Sequence, residues 1–236
     1  MVKMVLILAA FGIGAMLLVT WANRHPEHLP WTRLDLAAPV GAFTGRKLAG
    51  LGDDPALCRE LLGRAGIRHV ALPPRSEGQC GHDDAVRLRR GGAIDIDWSP
   101  RGPAASCPVA AALALWEWHV VQPAALKHFG SRVKEIDHLG SYACRRLYGR
   151  AEGGYSEHAT ANAIDVEGFR LEDGTRIAVA RDWSREGASS DFLRNVRDGA
   201  CPLFATVLSP DYNEAHRDHL HLDQAGRGEA GWRACR

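Results

Sequence analysis

From Met4 to Asn23 the chain runs for twenty residues without a charge, bracketed by Lys3 and Arg24. As a helix, twenty residues extend roughly 30 Å, the thickness of a bilayer core. The segment has no polar face of the kind a soluble surface helix carries. A cleaved signal peptide would have a shorter apolar region, about 7–15 residues, and a small-residue cleavage site. Here Thr20-Trp21-Ala22 offers only a poor one. We therefore expect an uncleaved single-pass membrane anchor over residues 1–23, with a signal peptide as the competing reading. The flanking positive charges orient it only weakly, since they lie on both sides.

All six cysteines, Cys58, Cys80, Cys107, Cys144, Cys201 and Cys235, follow this segment. None forms a C-x-x-C pair, which argues against a zinc ribbon or a thioredoxin-like motif. An even number of scattered cysteines beyond an export segment reads as disulfides in an oxidising compartment. Six cysteines allow fifteen pairings, and spacing does not choose among them. We expect sequential pairing, 58–80, 107–144 and 201–235. A net charge of +1 with both signs interspersed gives no sign of a nucleic-acid partner.

Residues 24–50 hold three prolines and several polar breaks, and read as a linker lifting the folded part off the membrane. The folded part is expected over 51–236. A helix is expected over Asp54–Ala65, where Leu57, Leu61 and Leu62 recur at helical spacing. AVRLRRGGAIDIDWSP reads as extended, with a glycine pair able to turn one strand into the next. Cys107 to Phe129 reads as two consecutive core helices. Pro108 suits a first helical turn, and Pro123 should break or kink the run. RVKEIDHLGSYACR is strand-like, FRLEDGTRIAVARDW is a hairpin turning at Asp173-Gly174, SSDFLRNVRDGAC is helical, and FATVLS and HLHLD are short strands. Helices and antiparallel strands without βαβ regularity define an α+β class, a small mostly antiparallel sheet flanked by helices.

Two stretches carry chemistry: SEHATANAID (156–165) and HRDHLHLD (216–223). Strand alternation sends His219 and His221 to one face. If HLHLD adjoins NAIDVEGF in one sheet, His221 and Asp165 converge, and His158 reaches them from the preceding loop. Two histidines and one aspartate with an open position suit one zinc ion. His216 reads as exposed or supporting, outside the ligand set, and Trp116, Trp118 and Trp183 as core.

The pattern S-x-H-x6-D followed by H-x-H resembles the signature of the zinc peptidases of the D-Ala-D-Ala carboxypeptidase, endolysin and Hedgehog-like superfamily. From about Leu51 to Arg236, nearly four-fifths of the chain, the sequence is similar to the bacterial extensin-like C-terminal family. The residues that carry this are YACR (142–145), SEHATANAIDVEGF (156–169), FLRNVRDGAC (192–201), TVL (206–208) and HRDHLHLD (216–223), and the cysteine positions fit as well. The resemblance implies a Hedgehog/DD-peptidase-like fold with His158, Asp165 and His221 as zinc ligands. It makes Asp218 the general base and His219 the group that steadies the oxyanion. Arg145 would hold a substrate carboxylate or carbonyl, and Ser156 would support the loop or touch substrate. Ala161 departs from the peptidase pattern, which has glycine there. A positive φ at that position would cost stability and reshape the rim of the site.

The expected function is a zinc-dependent hydrolase of amide bonds in peptidoglycan stem peptides or crosslinks, a metallopeptidase of the DD-carboxypeptidase or endopeptidase kind. Its partners would be peptidoglycan peptides and, through the N-terminal helix, a membrane. It would sit in the bacterial inner membrane as a single-pass protein with the folded domain in the periplasm or cell-wall space. The alternative is a catalytically silent, zinc-containing wall-binding or scaffold module.

Overall fold

The computed structural model describes residues 2–228 and 231–236. The uncharged run forms helix α1 (Val2–Arg24), which buries none of its residues and is long and apolar enough to cross a membrane. The stretch expected as a linker departs from that reading. It includes α2 (Thr44–Ala49), and Leu36 and Leu48 lie in the core at 1% and 0% exposure. Two leucines spaced between prolines carry no helical or strand period, so their burial was not visible in the pattern.

Helix α3 (Pro55–Arg64) starts at Asp54, whose carboxylate accepts from the Leu57 N–H, with Pro55 in the first turn. Next come β1 (Ile67–Ala71), β2 (Arg75–Glu77), β3 (Cys80–His82), β4 (Val86–Gly92), β5 (Asp97–Ser99) and β6 (Ala104–Ala105). Strands β1, β4 and β6 form a small sheet, and β2 pairs with β3.

Helix α4 (Cys107–Trp116) is capped by Ser106, and every one of its residues is buried. The longest apolar run of the domain is therefore its central core helix, as a helix apolar all round should be. It continues through a wide π turn, Glu117–Val121, into α5 (Gln122–Phe129). Pro123 lies at the start of α5, and its ring would collide with the carbonyl four residues back, at His119. The wide turn absorbs that conflict.

The main sheet adds β7 (Val133–Gly140), β8 (Ala163–Leu171), β9 (Arg176–Ala178), β10 (Thr206–Leu208), β11 (Leu220–Asp223) and β12 (Ala234–Cys235). Helices α6 (Val179–Asp182) and α7 (Ala188–Ala200) lie between β9 and β10 in sequence. The strand order is β12-β10-β11-β8-β7-β5, with β9 also paired to β8. The β5–β7 and β10–β12 pairs are parallel and the rest antiparallel. The architecture is α+β, as expected. The hairpin turns at Gly174, whose φ of 91° suits a residue without a Cβ.

Two of the three register shifts between β7 and β8 set which residues face which way near the site. Asp137 pairs with Gly168 and His138 with Val166, so Glu167 is an extra residue on β8. Ile164 and Val166 face the core before the bulge, Phe169 and Leu171 after it, and Asp165 is left on the opposite face. Phe169 packs on Trp116 and Phe192, joining the sheet to α4 and α7. Full burial of side chains this large stabilises by about 3 kcal/mol each. The second bulge puts an extra residue, Leu139, on β7 beside Asp165, since His138 pairs with Val166 and Gly140 with Asp165.

The disulfides are Cys58–Cys107, Cys80–Cys144 and Cys201–Cys235. Only the last follows the sequential expectation. Cys58 lies on α3 and Cys107 begins α4, and these helices pack together. That leaves Cys80, on the β2–β3 hairpin, to tie down the loop after β7 through Cys144.

Candidate metal centre

The centre forms where β8 and β11 lie side by side. Asp165 and His221 are direct partners across the antiparallel ladder, so their side chains leave the sheet on the same face. His221 Nδ1 is 2.9 Å from Asp165 Oδ1. His158 arrives from the short 3-10 helix Glu157–Thr160, whose N-cap is Ser156, its hydroxyl accepting from the His158 N–H. His158 Nε2 lies 3.1 Å from Asp165 Oδ2 and 3.2 Å from His221 Nδ1.

The three side chains are buried, and one donor atom from each lies within 4.8 Å of the others. A tetrahedral zinc with bonds of about 2.0–2.2 Å separates its donors by roughly 3.3 Å, so a small outward shift of each side chain would seat an ion. The far nitrogen of each ring is already tied down. His158 Nδ1–H donates to the Ser141 carbonyl at 2.9 Å, and His221 Nε2 lies 3.1 Å from Asp223 Oδ2. Such outer partners fix the ring orientation and tautomer that a metal ligand needs. The donor set fits a single zinc ion.

The electrostatics call for a cation between the carboxylates. Burial alone would raise the Asp165 carboxyl, but hydrogen bonds from His158 and His221 outweigh it and hold it well below the usual carboxylate range. Burial likewise opposes a charge on His221, yet Asp165 and Asp223 push its pKa up to about 9. A proton or a metal ion can supply that positive charge.

The remaining candidates surround this cluster. Asp218 Oδ1 is 2.9 Å from His219 Nδ1, and His219 Nε2 lies 3.6 Å from Asp165 Oδ1. The Asp218 side chain is about half exposed (45%), and its carboxylate engages His219 rather than the cluster directly. Arg145, about half exposed, brings Nη2 to 4.0 Å from Asp165 Oδ2. Its neighbour Arg146 turns away and stacks on Tyr155. Ala161 adopts φ 57° at the end of the helix carrying His158, the left-handed conformation that favours the glycine of the peptidase pattern.

Two contributors, Asp223 and the Ser141 carbonyl, were not singled out from the sequence, and His216, read there as exposed or supporting, lies against the cluster. Asp223 shares the alternating face of His219 and His221, so the strand pattern itself pointed to it. His216 packs its ring 5.3 Å from His219 and 5.9 Å from His221. Burial, then His221 and His219, lower its pKa to about 4. The Ser141 carbonyl is backbone and leaves no mark in a sequence.

The domain is thus α+β, with a buried His-Asp-His cluster at the junction of two antiparallel strands. The chain belongs to the family described as extensin-like protein C-terminus, whose model matches residues 56–236. No curated protein and no solved structure matches it.

Proposed function

We propose that the chain is a zinc-dependent hydrolase of amide bonds in peptidoglycan stem peptides or crosslinks, with a Hedgehog/DD-peptidase-like fold. It works at the cell envelope, held in the bacterial inner membrane by α1 with its domain in the periplasm or cell-wall space. The observation that carries this reading is the convergence of His158, Asp165 and His221 with their outer nitrogens already engaged.

His158, Asp165 and His221 would hold the zinc, which would supply Lewis-acid chemistry for an amide carbonyl and for a water able to attack near neutral pH. Asp218 takes the proton that the attacking water gives up, and later passes it to the departing amine. His219, held at Nδ1 by Asp218, presents Nε2 towards the cluster, where it steadies negative charge developing on the carbonyl oxygen. Arg145 orients a substrate carbonyl or carboxylate through its exposed guanidinium. Ser156 acts through the turn, fixing the helix that bears His158.

The test compares zinc content and fragment release from purified peptidoglycan for the parent and Asp218→Ala, as full chains in detergent. The expected result is about one zinc per chain in both, with release lost in the variant by roughly a hundredfold or more. Zinc without release in either protein would turn the reading towards a silent wall-binding module. Absence of zinc from both would end it.

A further inference from the structure

Resting on that hydrolase reading, we propose that the site is a groove open on both sides, cutting an internal amide of an extended peptide rather than removing a terminal residue. Two adjoining hollows of about 350 and 420 Å³ meet at Arg145, His158, Ala215 and His219. The first runs out over β11 and β10, where Thr206 and Leu208 line it. The second runs the other way over β8 to the end of β7, where Asp165, Gly140 and Leu139 line it. The depression thus follows the strand order β10-β11-β8-β7, with the ligand cluster at its midpoint.

Four adjacent strands span three spacings of about 4.8 Å, or roughly 14 Å. An extended peptide advances about 3.3 Å per residue, so the floor accommodates about four residues, two on each side of the cluster. A site that removes terminal residues needs a wall close to the scissile bond and a cation at that wall for the terminal carboxylate. Arg145, the guanidinium nearest the cluster, lies instead where the two hollows join, positioned for a carbonyl beside the scissile bond. The second guanidinium along the groove, Arg227, donates to Thr206 Oγ1 and stacks on Trp232. An exposed large side chain stands on each rim: Leu139, pushed out by its bulge, is 55% exposed, and Tyr148 on the other side is 52% exposed. Such rims let a chain pass beyond the floor in both directions.

The reaction is hydrolysis with water as the co-reactant. The internal C–N bond breaks, the water oxygen joins the carbonyl carbon as a new carboxylate, and the released amine takes up a proton. The test gives the zinc-loaded full chain in detergent three probes: a crosslinked dimeric muropeptide, the same dimer with its carboxyl termini amidated, and an uncrosslinked pentapeptide monomer. Mass spectrometry should find both dimers cut internally, at rates within about twofold of each other. Release of only the carboxyl-terminal residue, abolished by amidation, would overturn the open groove while leaving the hydrolase reading intact. No product from any probe would overturn both. A binding series with Asp218→Ala adds a readout free of turnover. Affinity for end-blocked peptides should rise with length up to about four residues. A plateau at two would overturn the proposal.

Discussion

Asp165 on β8 and Glu117 in the wide turn between α4 and α5 are both carboxylates taken out of water, at 7% and 3% exposure. Burial raises the pKa of each, and their partners then drive them apart. Asp165 is met by two imidazoles that can carry positive charge, and its carboxyl falls well below the usual range. Glu117 receives only the N–H groups of Asp95 and Ile96, at 3.2 and 3.4 Å. Burial wins there, with the charge of Asp95 adding to it against a weaker pull from Arg132, and the pKa rises to about 7. The contrast shows that depth of burial does not distinguish a site from a structural carboxylate. The presence of groups able to share a cation does.

The comparison breaks most directly at Asp165. Asp165→Asn keeps the shape and removes the anion, and zinc affinity should fall by more than about a hundredfold, measured by competition with a chelator. A loss below tenfold would mean that the carboxylate is no ligand.

Glu117 should announce itself in stability. Its folded-state pKa lies above the 4.5 of a free glutamate carboxyl, so the folded protein binds the extra proton. That contribution is fully present below about pH 4.5 and is lost as pH rises through about 7, for a total of about 3 kcal/mol. Glu117→Gln should therefore stabilise the protein at pH 8 by up to that amount and change little at pH 4, as read from thermal melts. An equal effect at both values would remove the titration from the account.

Asp223→Asn sharpens the contrast from the outer shell. With His221 less firmly held, zinc affinity should fall about tenfold to a hundredfold while the circular dichroism spectrum is unchanged. The smallest effect belongs to Ala161→Gly. It relieves a left-handed alanine between His158 and Asp165, and should raise stability by at most about 1 kcal/mol, a few degrees in melting temperature. A fall in melting temperature would show that the buried methyl group of Ala161 outweighs its backbone strain.

Much of this centre was legible because it rests on strand parity. HLHLD and NAIDVEGF each alternate, and laying them side by side suffices to bring His221 opposite Asp165. Asp223 obeys the same parity and could have been read with its neighbours. Pro108 marked the start of α4, and Pro123 marked the break before α5, because proline acts through its own missing N–H and ring sterics. Local chemistry of this sort is written at the position where it operates. The disulfide partners of Cys58 and Cys80 were not legible. Pairing depends on which elements come to lie within about 6 Å of each other, and spacing along the chain says little about that. Nor did residues 24–50 advertise their packing, since Leu36 and Leu48 fill core space without any period to betray them.

Residue types, their alternation and the break points along the chain therefore specified the longer elements from α4 onward, the α+β class and the candidate ligands, because these depend on interactions within a few residues. The tertiary structure alone decided the bulges at Glu167 and Leu139, which reverse the strand parity beyond Val166 and push Leu139 outward, and the disulfide partners. Each of these arises when segments distant in sequence compete for the same space, and that competition is settled only once the core is packed.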